Sequence, residues 1–276
     1  MLKLAIVSLV CTALLISILF RMSNNSILCR APVLVGPGIL PDTNSTKDDD
    51  IMSQQLKVDA VIHYATSRVI PQQTLDEIKV SFDVLKSLTP CNFLVFGLGH
   101  DSFMWASINP RGTTLFLEED PKWVRAVIKD APFLRTNTVN YRTKLSEAEK
   151  LIEHYHKEPD CSAKKSFLRG NRKCKLALDM LSNEVYDKEW DMIMIDGPKG
   201  YFDKAPGRMS AIYSAAVMAR NRKGSGVTHI FLHDVDRNVE KVYAELFLCR
   251  KNLVNSVGRL WHFEIPPAPN VTNDFC

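Results

Sequence analysis

Several patterns that define common protein classes are missing from this sequence of 276 residues. None of its seven cysteines belongs to a Cys-x-x-Cys pair, which argues against a zinc site built from cysteines. No internal repeat or coiled-coil heptad occurs, so we expect one folded domain with appendages. The residues four positions after Tyr155 and Tyr213 are Pro159 and Val217 rather than lysine. This argues against an NAD-dependent sugar oxidoreductase or epimerase, which needs a Tyr-x-x-x-Lys helix.

The N-terminus contains an apolar run of membrane-spanning length. Leu4 to Phe20 carries no charge and lies between Lys3 and Arg21, close to the roughly 20 residues that cross a bilayer. A cleaved signal peptide would need a small-x-small cleavage site, and none follows Phe20. We therefore predict an uncleaved signal anchor.

Composition divides the chain into three parts. Residues 1–21 are predicted to be a short cytoplasmic start and the transmembrane helix. Residues 22–53 mix Asn, Ser, Pro and Gly with an acidic run, as expected of a solvated stem. Residues 54–276 are predicted to form a single catalytic domain.

Sequons and cysteines favour a lumenal location for that domain. Asn-x-Ser/Thr patterns begin at Asn24, Asn44 and Asn270. In an oxidising lumen some cysteines would form disulfides. We expect Cys161 to pair with Cys174, closing a loop rich in lysine and arginine, and Cys249 to pair with Cys276, fixing the C-terminus.

A glycine-containing turn follows the first strong strand of the domain. Phe93 to Phe96 is a short apolar run, as a buried parallel strand requires, and it ends at Gly97 and Gly99. Glycines without Cβ let backbone N–H groups approach a ligand. The turn therefore predicts a cofactor site between a strand and a helix.

An acidic strand end lies about twenty residues further on. Leu115 to Leu117 is followed by Glu118, Glu119 and Asp120. At this distance a doubly wound sheet places a carboxylate that binds two ribose hydroxyls. The ligand is therefore predicted to be an adenosine derivative. The alternative, a glycine-rich strand end that only turns the chain and binds nothing, is disfavoured by the acidic end of the second strand.

The turn departs from the dinucleotide pattern. Ser102 stands where Gly-x-Gly-x-x-Gly requires its third glycine, and the turn also carries His100 and Asp101. An acid beside the glycines would repel a diphosphate, whereas it suits a cofactor with a sulfonium and an amino group. We therefore predict S-adenosylmethionine, with NAD as the alternative. Gly97, Gly99, His100 and Asp101 are assigned to the cofactor site.

The rest of the domain alternates strands with helices. Strands are predicted at Thr138–Tyr141, Trp190–Asp196, Thr228–His233 and Arg259–Ile265. Helices are predicted at Gln54–Val69, Pro71–Leu88, Pro121–Lys129, Ser146–Lys157, Pro206–Arg222 and Val239–Cys249, with another from about Ser102. In the second helix Thr74 and Glu77 match a capping box, and Leu75, Ile78, Phe82 and Leu85 share one face. This alternation predicts an α/β, Rossmann-like fold of the class I S-adenosylmethionine-dependent methyltransferase type, with a parallel sheet covered on both faces.

Two strand ends carry residues suited to methyl transfer onto a hydroxyl. A sugar hydroxyl is a poor acid, so it needs a positioned base or a cation that lowers its pKa. The candidates are Asp196, Lys199 and Tyr201 after one strand and His233, Asp234 and Asp236 after another. Because ligands bind beyond the carboxyl ends of parallel strands, we expect these groups near the cofactor.

Roles follow from chemistry and spacing. Asp196, Asp234 and either Asp236 or His233 are candidate oxygen and nitrogen ligands for a divalent cation. The Asp-x-x-Lys spacing up to Lys199 resembles that of small-molecule catechol methyltransferases, in which such a stretch supplies a metal ligand and a base. Lys199 is therefore the candidate base, provided that burial or a nearby cation lowers its pKa. The alternatives are a solvated Lys199 that pairs with substrate and a His233 that only hydrogen-bonds at a strand end.

An anionic acceptor would explain the basic residues near these strand ends. Arg208 lies near the start of a predicted helix and is a candidate to bind a uronic acid carboxylate, since arginine binds carboxylates bidentately. Tyr201 is a second candidate substrate contact. The basic segment Asp160–Lys175 would attract an acidic polymer by its field. A nucleic-acid partner is not expected in the lumen.

Four long stretches carry a resemblance to a known family. They are PCNFLVFGLGHDSFMWASINPRGTTLFLEEDPKW, EWDMIMIDGPKGYFDKAPGRMSAIYSAAVMARNRKG, THIFLHDVDR and GRLWHFEIP. Through them, Leu56 to Cys276 resembles the plant methyltransferases that 4-O-methylate glucuronic acid side residues of arabinogalactan or glucuronoxylan.

The resemblance implies a single-pass type II protein of the Golgi membrane with a lumenal catalytic domain. It also implies S-adenosylmethionine as donor and an acidic plant polysaccharide as acceptor. The segments FLEEDPKW and GPKGYFDKAPGRM are more similar to the arabinogalactan branch than to the glucuronoxylan branch. The glucuronoxylan branch need not carry a lysine at the position of Lys199. Another branch is tied to xylan deposition without an assigned activity, so a catalytically silent Golgi scaffold is the non-enzymatic alternative.

Overall fold

The strands predicted from short apolar runs form the centre of one sheet. The computed structural model describes residues 43–268 and 274–276, with side chains from Asp50 onward. Within these ranges the strands are β1 (Asn92–Phe96), β2 (Thr113–Glu118), β3 (Arg135–Thr138), β4 (Met192–Ile195), β5 (Thr228–Leu232), β6 (Leu253–Val257) and β7 (Leu260–Ile265). The helices are α1 (Thr43–Thr66), α2 (Leu75–Leu88), α3 (Ser102–Ile108), α4 (Pro121–Asp130), α5 (Ala148–Lys157), α6 (Asn183–Asp187), α7 (Met209–Arg220) and α8 (Asn238–Phe247). Short 3₁₀ turns lie at Leu145–Glu147, Pro159–Cys161, Ala163–Lys165 and Arg250–Asn252.

The strand order of the sheet is β3-β2-β1-β4-β5-β7-β6. The strands β1 to β5 run parallel, whereas β7 pairs antiparallel with β5 and β6 antiparallel with β7. The order reverses between β1 and β4, which lie side by side. In an open α/β sheet a ligand cleft forms at such a reversal, beyond the carboxyl ends of the strands.

Both faces of the sheet are covered, which explains why its central strands are continuously apolar. Along β1, Leu94 and Phe96 pack in a cluster that includes side chains of α5, α7 and α8. Phe93 and Val95 point the other way and pack in a second cluster with side chains of α2 and α3. The prediction of helices on both faces is confirmed.

Helix α2 confirms one prediction and corrects another. The capping box is present, since Glu77 N–H donates to Thr74 Oγ1 and Thr74 N–H donates to the Glu77 carboxylate at 2.7 Å. Ile78 and Phe82 pack against the second cluster as expected. Leu75 does not, because it lies in the first turn and 66% of its surface is exposed.

The C-terminal end of the sheet also differs from the prediction. Strand β6 was not expected because Val254, Asn255 and Ser256 are exposed and give no apolar run. It joins β7 through a tight turn at Gly258, whose φ of +53° suits glycine. The hairpin reverses the chain, so β7 enters the sheet antiparallel and the sheet is mixed rather than wholly parallel.

Several helix boundaries also differ from the prediction. The helix predicted from Pro206 begins only at Met209, and the preceding Gly207, with φ +67°, turns the chain towards the strand ends. Helix α1 begins at Thr43, inside the range predicted as stem.

Both predicted disulfides, Cys161–Cys174 and Cys249–Cys276, are present.

Several predictions for the two ends of the chain fall outside the described residues. The anchor at Leu4–Phe20, most of the stem and the sequons at Asn24 and Asn270 belong to that part of the chain. Among residues 43–268 and 274–276, no helix combines the length and apolar character that a bilayer crossing requires.

Candidate active site

A cleft of about 430 Å³ opens beyond the carboxyl ends of β1, β2, β4 and β5. All six residues predicted to bind the cofactor line it, namely Gly97, Gly99, His100, Asp101, Glu118 and Glu119. Asp196, Lys199, Tyr201, Arg208 and Asp234 line it as well. The topology therefore brings the predicted cofactor residues together with most of the predicted catalytic and substrate residues.

The floor of the cleft is two glycine turns in close contact. Gly97 has a φ of +116°, and a Cβ built on it would lie 3.1 Å from the backbone nitrogen of Gly197. A Cβ on Gly197 would lie 2.8 Å from the Cα of Gly97. The backbone nitrogen of Gly197 donates to Phe96 O at 2.7 Å, which holds the turn after β4 against the end of β1. Neither position has room for a side chain.

Tyr64 of α1 fixes the outer part of the first turn. Its hydroxyl donates to His100 O at 2.6 Å and accepts from Met104 N–H at 3.1 Å. Burial raises the pKa of Tyr64 to about 12. No sequence pattern indicates this contact, because Tyr64 lies 36 residues before His100.

Asp101 faces the cleft from the start of α3. Its carboxylate accepts from Trp105 Nε1 at 2.7 Å. Burial, together with the negative charge of Asp196, raises the pKa of Asp101 to about 6. Asp101 is therefore the half-buried acidic group that a cationic ligand would keep ionised.

Glu118 closes β2 and is almost fully buried. Its carboxylate accepts from the backbone N–H groups of Leu98 and Asp120, each at 3.0 Å. Burial is the main cause that raises the pKa of Glu118 to about 7, and the adjacent charge of Glu119 acts in the same direction. Trp123 Nε1 donates to Leu98 O and so ties α4 to the turn. No sequence pattern marks Trp123 for this contact.

Asp196 connects the cleft to a buried polar group. His233 Nδ1 lies 2.9 Å from Asp196 Oδ1, and Gln73 Nε2 donates to Oδ2 at 3.1 Å. The Asp196 side chain is 24% exposed. Burial acts to raise the pKa of Asp196, but the hydrogen bond from His233 and the charge of Arg208 outweigh it and lower the pKa. Asp196 therefore presents a carboxylate to the cleft that is ionised at neutral pH.

His233 lies behind Asp196 rather than in the cleft. Its side chain is fully buried, and its Nε2 has no hydrogen-bond partner among the described residues, with Glu77 Oε2 at 3.7 Å. Glu77 is itself held by Thr74 and by the backbone N–H of Arg259 at 2.6 Å. His233 can orient Asp196, but it does not reach the cleft, so its predicted direct catalytic role is not supported by this placement.

Asp234 is the centre of an arginine cluster. Its carboxylate lies 2.7 Å from Arg208 Nη2, 2.9 Å from Arg237 Nη2 and 2.7 Å from Arg259 Nη1. Asp236 is exposed and lies outside the cleft lining.

The cation predicted at these strand ends does not fit the donors as they lie. Asp196, His233 and Asp234 are close enough together to share an ion. However, both Asp234 oxygens are bonded to guanidinium groups, and Asp196 Oδ1 is bonded to His233. Three arginines would also repel a divalent cation. We therefore derive no step through a metal at this site.

Arg208 is a structural group and not a free carboxylate receptor. Its side chain is only 5% exposed. Nη1 donates to His233 O and Nη2 to Asp196 O, each at 2.6 Å, in addition to the ion pair with Asp234. This placement does not support the prediction that Arg208 binds a uronic acid, because its donors already bind the ends of β4 and β5.

Replacing Arg208 should therefore reduce stability rather than acceptor affinity alone. We expect Arg208→Met to lower the free energy of unfolding by about 3–5 kcal/mol, since it leaves Asp234 buried with one partner fewer. Arg250→Met, which breaks an exposed pair with Glu245, should change it by less than about 1 kcal/mol. Chemical denaturation of both variants measures this. A stable Arg208→Met protein with only a raised KM for polysaccharide would restore the predicted substrate role.

Lys199 and Tyr201 lie at the rim of the cleft. Lys199 is exposed, and its backbone N–H donates to Glu119 Oε1 at 3.2 Å. The burial on which its role as a base depended is absent. Tyr201 is 68% exposed and contacts Phe202 edge to face. Both side chains are therefore accessible from solvent at the rim.

The strand order, the glycine turn and the acidic end of β2 define a mixed α/β, Rossmann-like fold of the methyltransferase type. Comparison with known proteins agrees. The sequence profile of the family described as IRX15/IRX15L/GXM matches residues 76–263, and this chain belongs to that family.

Curated relatives from Arabidopsis thaliana narrow the comparison. Arabinogalactan O-methyltransferase 1 is 63% identical over 226 residues, which cover 82% of this chain and 78% of the relative. Arabinogalactan O-methyltransferase 2 is 54% identical over 274 residues, 99% of this chain and 91% of the relative. Glucuronoxylan 4-O-methyltransferase 1 is 50% identical over 210 residues, which cover 75% of this chain and 72% of the relative. The predicted resemblance is confirmed, with higher identity to the arabinogalactan relatives.

Proposed function

We propose that this chain transfers the methyl group of S-adenosylmethionine to the 4-hydroxyl of glucuronic acid residues on arabinogalactan. The observation that carries the proposal is the 63% identity to an arabinogalactan O-methyltransferase, which covers 82% of this chain. The cleft itself adds support, because its glycine floor and its acidic groups suit this donor.

The cleft residues fit S-adenosylmethionine in three places. The contact between Gly97 and Gly197 leaves a floor without side chains against which a ligand can pack. Glu118, at the end of β2, has the position from which a carboxylate accepts hydrogen bonds from ribose hydroxyls. Asp101 offers a carboxylate to an ammonium group. When bound, the donor supplies an electrophilic methyl carbon.

The acceptor is positioned by the opposite side of the cleft. We assign Asp196 to accept a hydrogen bond from the sugar hydroxyl and to receive its proton, with His233 and Gln73 holding the carboxylate in place. We assign Lys199 to the uronate carboxylate, since it is exposed and cationic at the rim, and Tyr201 to the sugar face. Lys199 as the base is the alternative that the sequence predicted.

Donor affinity should depend on pH. Asp101, with a pKa raised to about 6, is neutral below that pH and charged above it. An ammonium group prefers the charged form, so affinity should rise as pH increases from 5 to 7.5. Asp101→Asn should bind the donor more weakly at pH 7.5 and with a flatter pH dependence. Calorimetric titration at several pH values measures both. Equal affinity of the wild type at pH 5 and 7.5 would exclude this role.

We further propose a single-pass type II topology in the Golgi membrane. Its support is the uncharged run Leu4–Phe20 and the sequons downstream of it. The two disulfides, Cys161–Cys174 and Cys249–Cys276, are consistent with an oxidising lumen. Protease protection of the domain in sealed microsomes, together with a mobility shift after glycosidase treatment, tests this topology.

Glucuronoxylan is the second candidate acceptor, favoured by 50% identity to a glucuronoxylan 4-O-methyltransferase. The non-enzymatic alternative is a Golgi scaffold that no longer binds the donor.

To test the proposal, we would incubate the full-length chain in detergent with methyl-labelled donor and unmethylated arabinogalactan, and hydrolyse the product. Label in 4-O-methylglucuronic acid is expected. A folded chain that neither binds the donor nor transfers label would support the scaffold.

A further inference from the structure

A second polar cluster lies at the opposite end of the sheet from the cleft. It consists of His229 near the start of β5 and His262 and Glu264 on β7. His229 precedes His233 by four residues, which corresponds to about 13 Å along a strand. The cluster is therefore separate from the groups assigned to methyl transfer.

The strand register alone places these three side chains on one face. His229 is the antiparallel partner of Glu264, and Phe231 is the partner of His262. Residues two apart on a strand share a face, so His262 lies diagonal to His229 and beside Glu264. The His262 ring stacks on Phe231, with 4.3 Å between the ring centroids, which fixes its orientation.

The ligand-type atoms converge at distances suited to one ion. His229 Nδ1 and His262 Nε2 form a 3.0 Å hydrogen bond, which an ion shared by both nitrogens would replace, and His229 Nδ1 is 3.8 Å from Glu264 Oε1. One ligand-type atom of each residue lies within 4.8 Å of those of the other two. Two nitrogens bound to a tetrahedral zinc ion at its usual bond length are separated by about 3.3 Å. Small side-chain shifts would therefore bring all three atoms onto one cation.

The surroundings of the cluster are compatible with a cation. His262 is buried, and the His229 side chain is 16% exposed. The nearby Arg222 is engaged by Asp191 at 2.8 Å and by Trp190 O at 3.2 Å. The Glu264 side chain is 42% exposed, which leaves a side open for a water ligand.

We propose that His229, His262 and Glu264 form a binding site for a divalent transition-metal cation such as Zn²⁺, with a structural role. Two histidines and a glutamate are a ligand set that zinc accepts, with water completing the tetrahedron. A bound ion would connect β5 to β7 where the sheet changes from parallel to antiparallel pairing. The proposed ion takes no part in methyl transfer, and the proposal does not depend on the proposed function.

Zinc titration of the full-length chain, after removal of metal with EDTA and of any affinity tag, tests the proposal. We expect one high-affinity Zn²⁺ per chain by calorimetry and a rise in melting temperature on adding Zn²⁺. Glu264→Gln and His229→Gln should weaken binding by at least about 100-fold and abolish the rise, since even outer partners of metal ligands are worth 10–100-fold. His262 is left unchanged because it is packed in the core.

Two controls separate this site from others. His156→Gln removes an exposed histidine elsewhere and should bind Zn²⁺ like the wild type. Asp196→Asn alters the cleft cluster and should also leave the stoichiometry at one. Full-affinity zinc binding that survives both Glu264→Gln and His229→Gln, binding lost only in Asp196→Asn, or no binding by the wild type would each overturn the proposal.

Discussion

Gly97→Val should abolish binding of S-adenosylmethionine, with a loss of affinity of at least about 100-fold. Gly97 has a φ of +116°, which side-chain-bearing residues rarely adopt, and a Cβ would lie 3.1 Å from the backbone of Gly197. Valine would have to push apart the two turns that form the floor of the cleft. The backbone strain alone is worth roughly 1–3 kcal/mol. Calorimetric titration of the purified variant with donor measures the effect.

A matched control isolates the local effect from general backbone strain. Gly226 has a similar φ of +95°, but a Cβ there would meet no atom within 4 Å. Gly226→Val should therefore share the conformational cost and retain donor binding. If Gly97→Val bound the donor as tightly as the wild type, the glycine turn would not be the cofactor site.

Asp196→Asn should leave donor binding nearly intact while methyl transfer falls by about 100- to 10,000-fold, the usual worth of a positioned acid or base. The amide keeps the size of the carboxylate but loses its negative charge, so it cannot receive the hydroxyl proton. Kinetic assays with arabinogalactan, paired with donor titration, separate the two effects.

Asp236→Asn is the appropriate control for Asp196→Asn. Asp236 follows the neighbouring strand, was predicted as a metal ligand, and is exposed outside the cleft lining. Its loss should change transfer less than twofold. If Asp196→Asn lost donor binding and transfer together, Asp196 would instead be structural, as its bonds to His233 and Gln73 allow.

Lys199→Met distinguishes the two roles open to that residue. If Lys199 pairs with the uronate, the variant should raise the KM for polysaccharide with little change in kcat. If Lys199 is the base, kcat should fall instead. The exposed position of the side chain favours the first outcome.

The central strands and the cofactor turn were predictable because their signals are local. A buried parallel strand must be apolar on both faces, so the runs that became β1, β2, β4 and β5 stand out in the sequence. Glycines at a strand end and acids at the next strand end lie within thirty residues of each other. The topology then fixes where their side chains meet.

What the sequence did not reveal depends on contacts between distant residues. Whether Arg208 faces substrate or binds backbone carbonyls depends on how closely β4 and β5 approach it. Gln73 meets Asp196 across 123 positions, and Tyr64 meets His100 across 36. No local pattern marks such pairs. Strand β6 was missed for a different reason, because it lies at the sheet edge and its exposed residues carry no apolar run.

The most direct test of the account is methyl transfer by the full-length chain to two acceptors side by side. Unmethylated arabinogalactan and unmethylated glucuronoxylan would be supplied at equal glucuronic acid content with labelled S-adenosylmethionine. Asp196→Asn would serve as the inactive control. We predict label in 4-O-methylglucuronic acid released from arabinogalactan, well above that from glucuronoxylan. Label on glucuronoxylan alone would contradict the acceptor assignment, and no label on either from a chain that binds the donor would contradict the proposed activity.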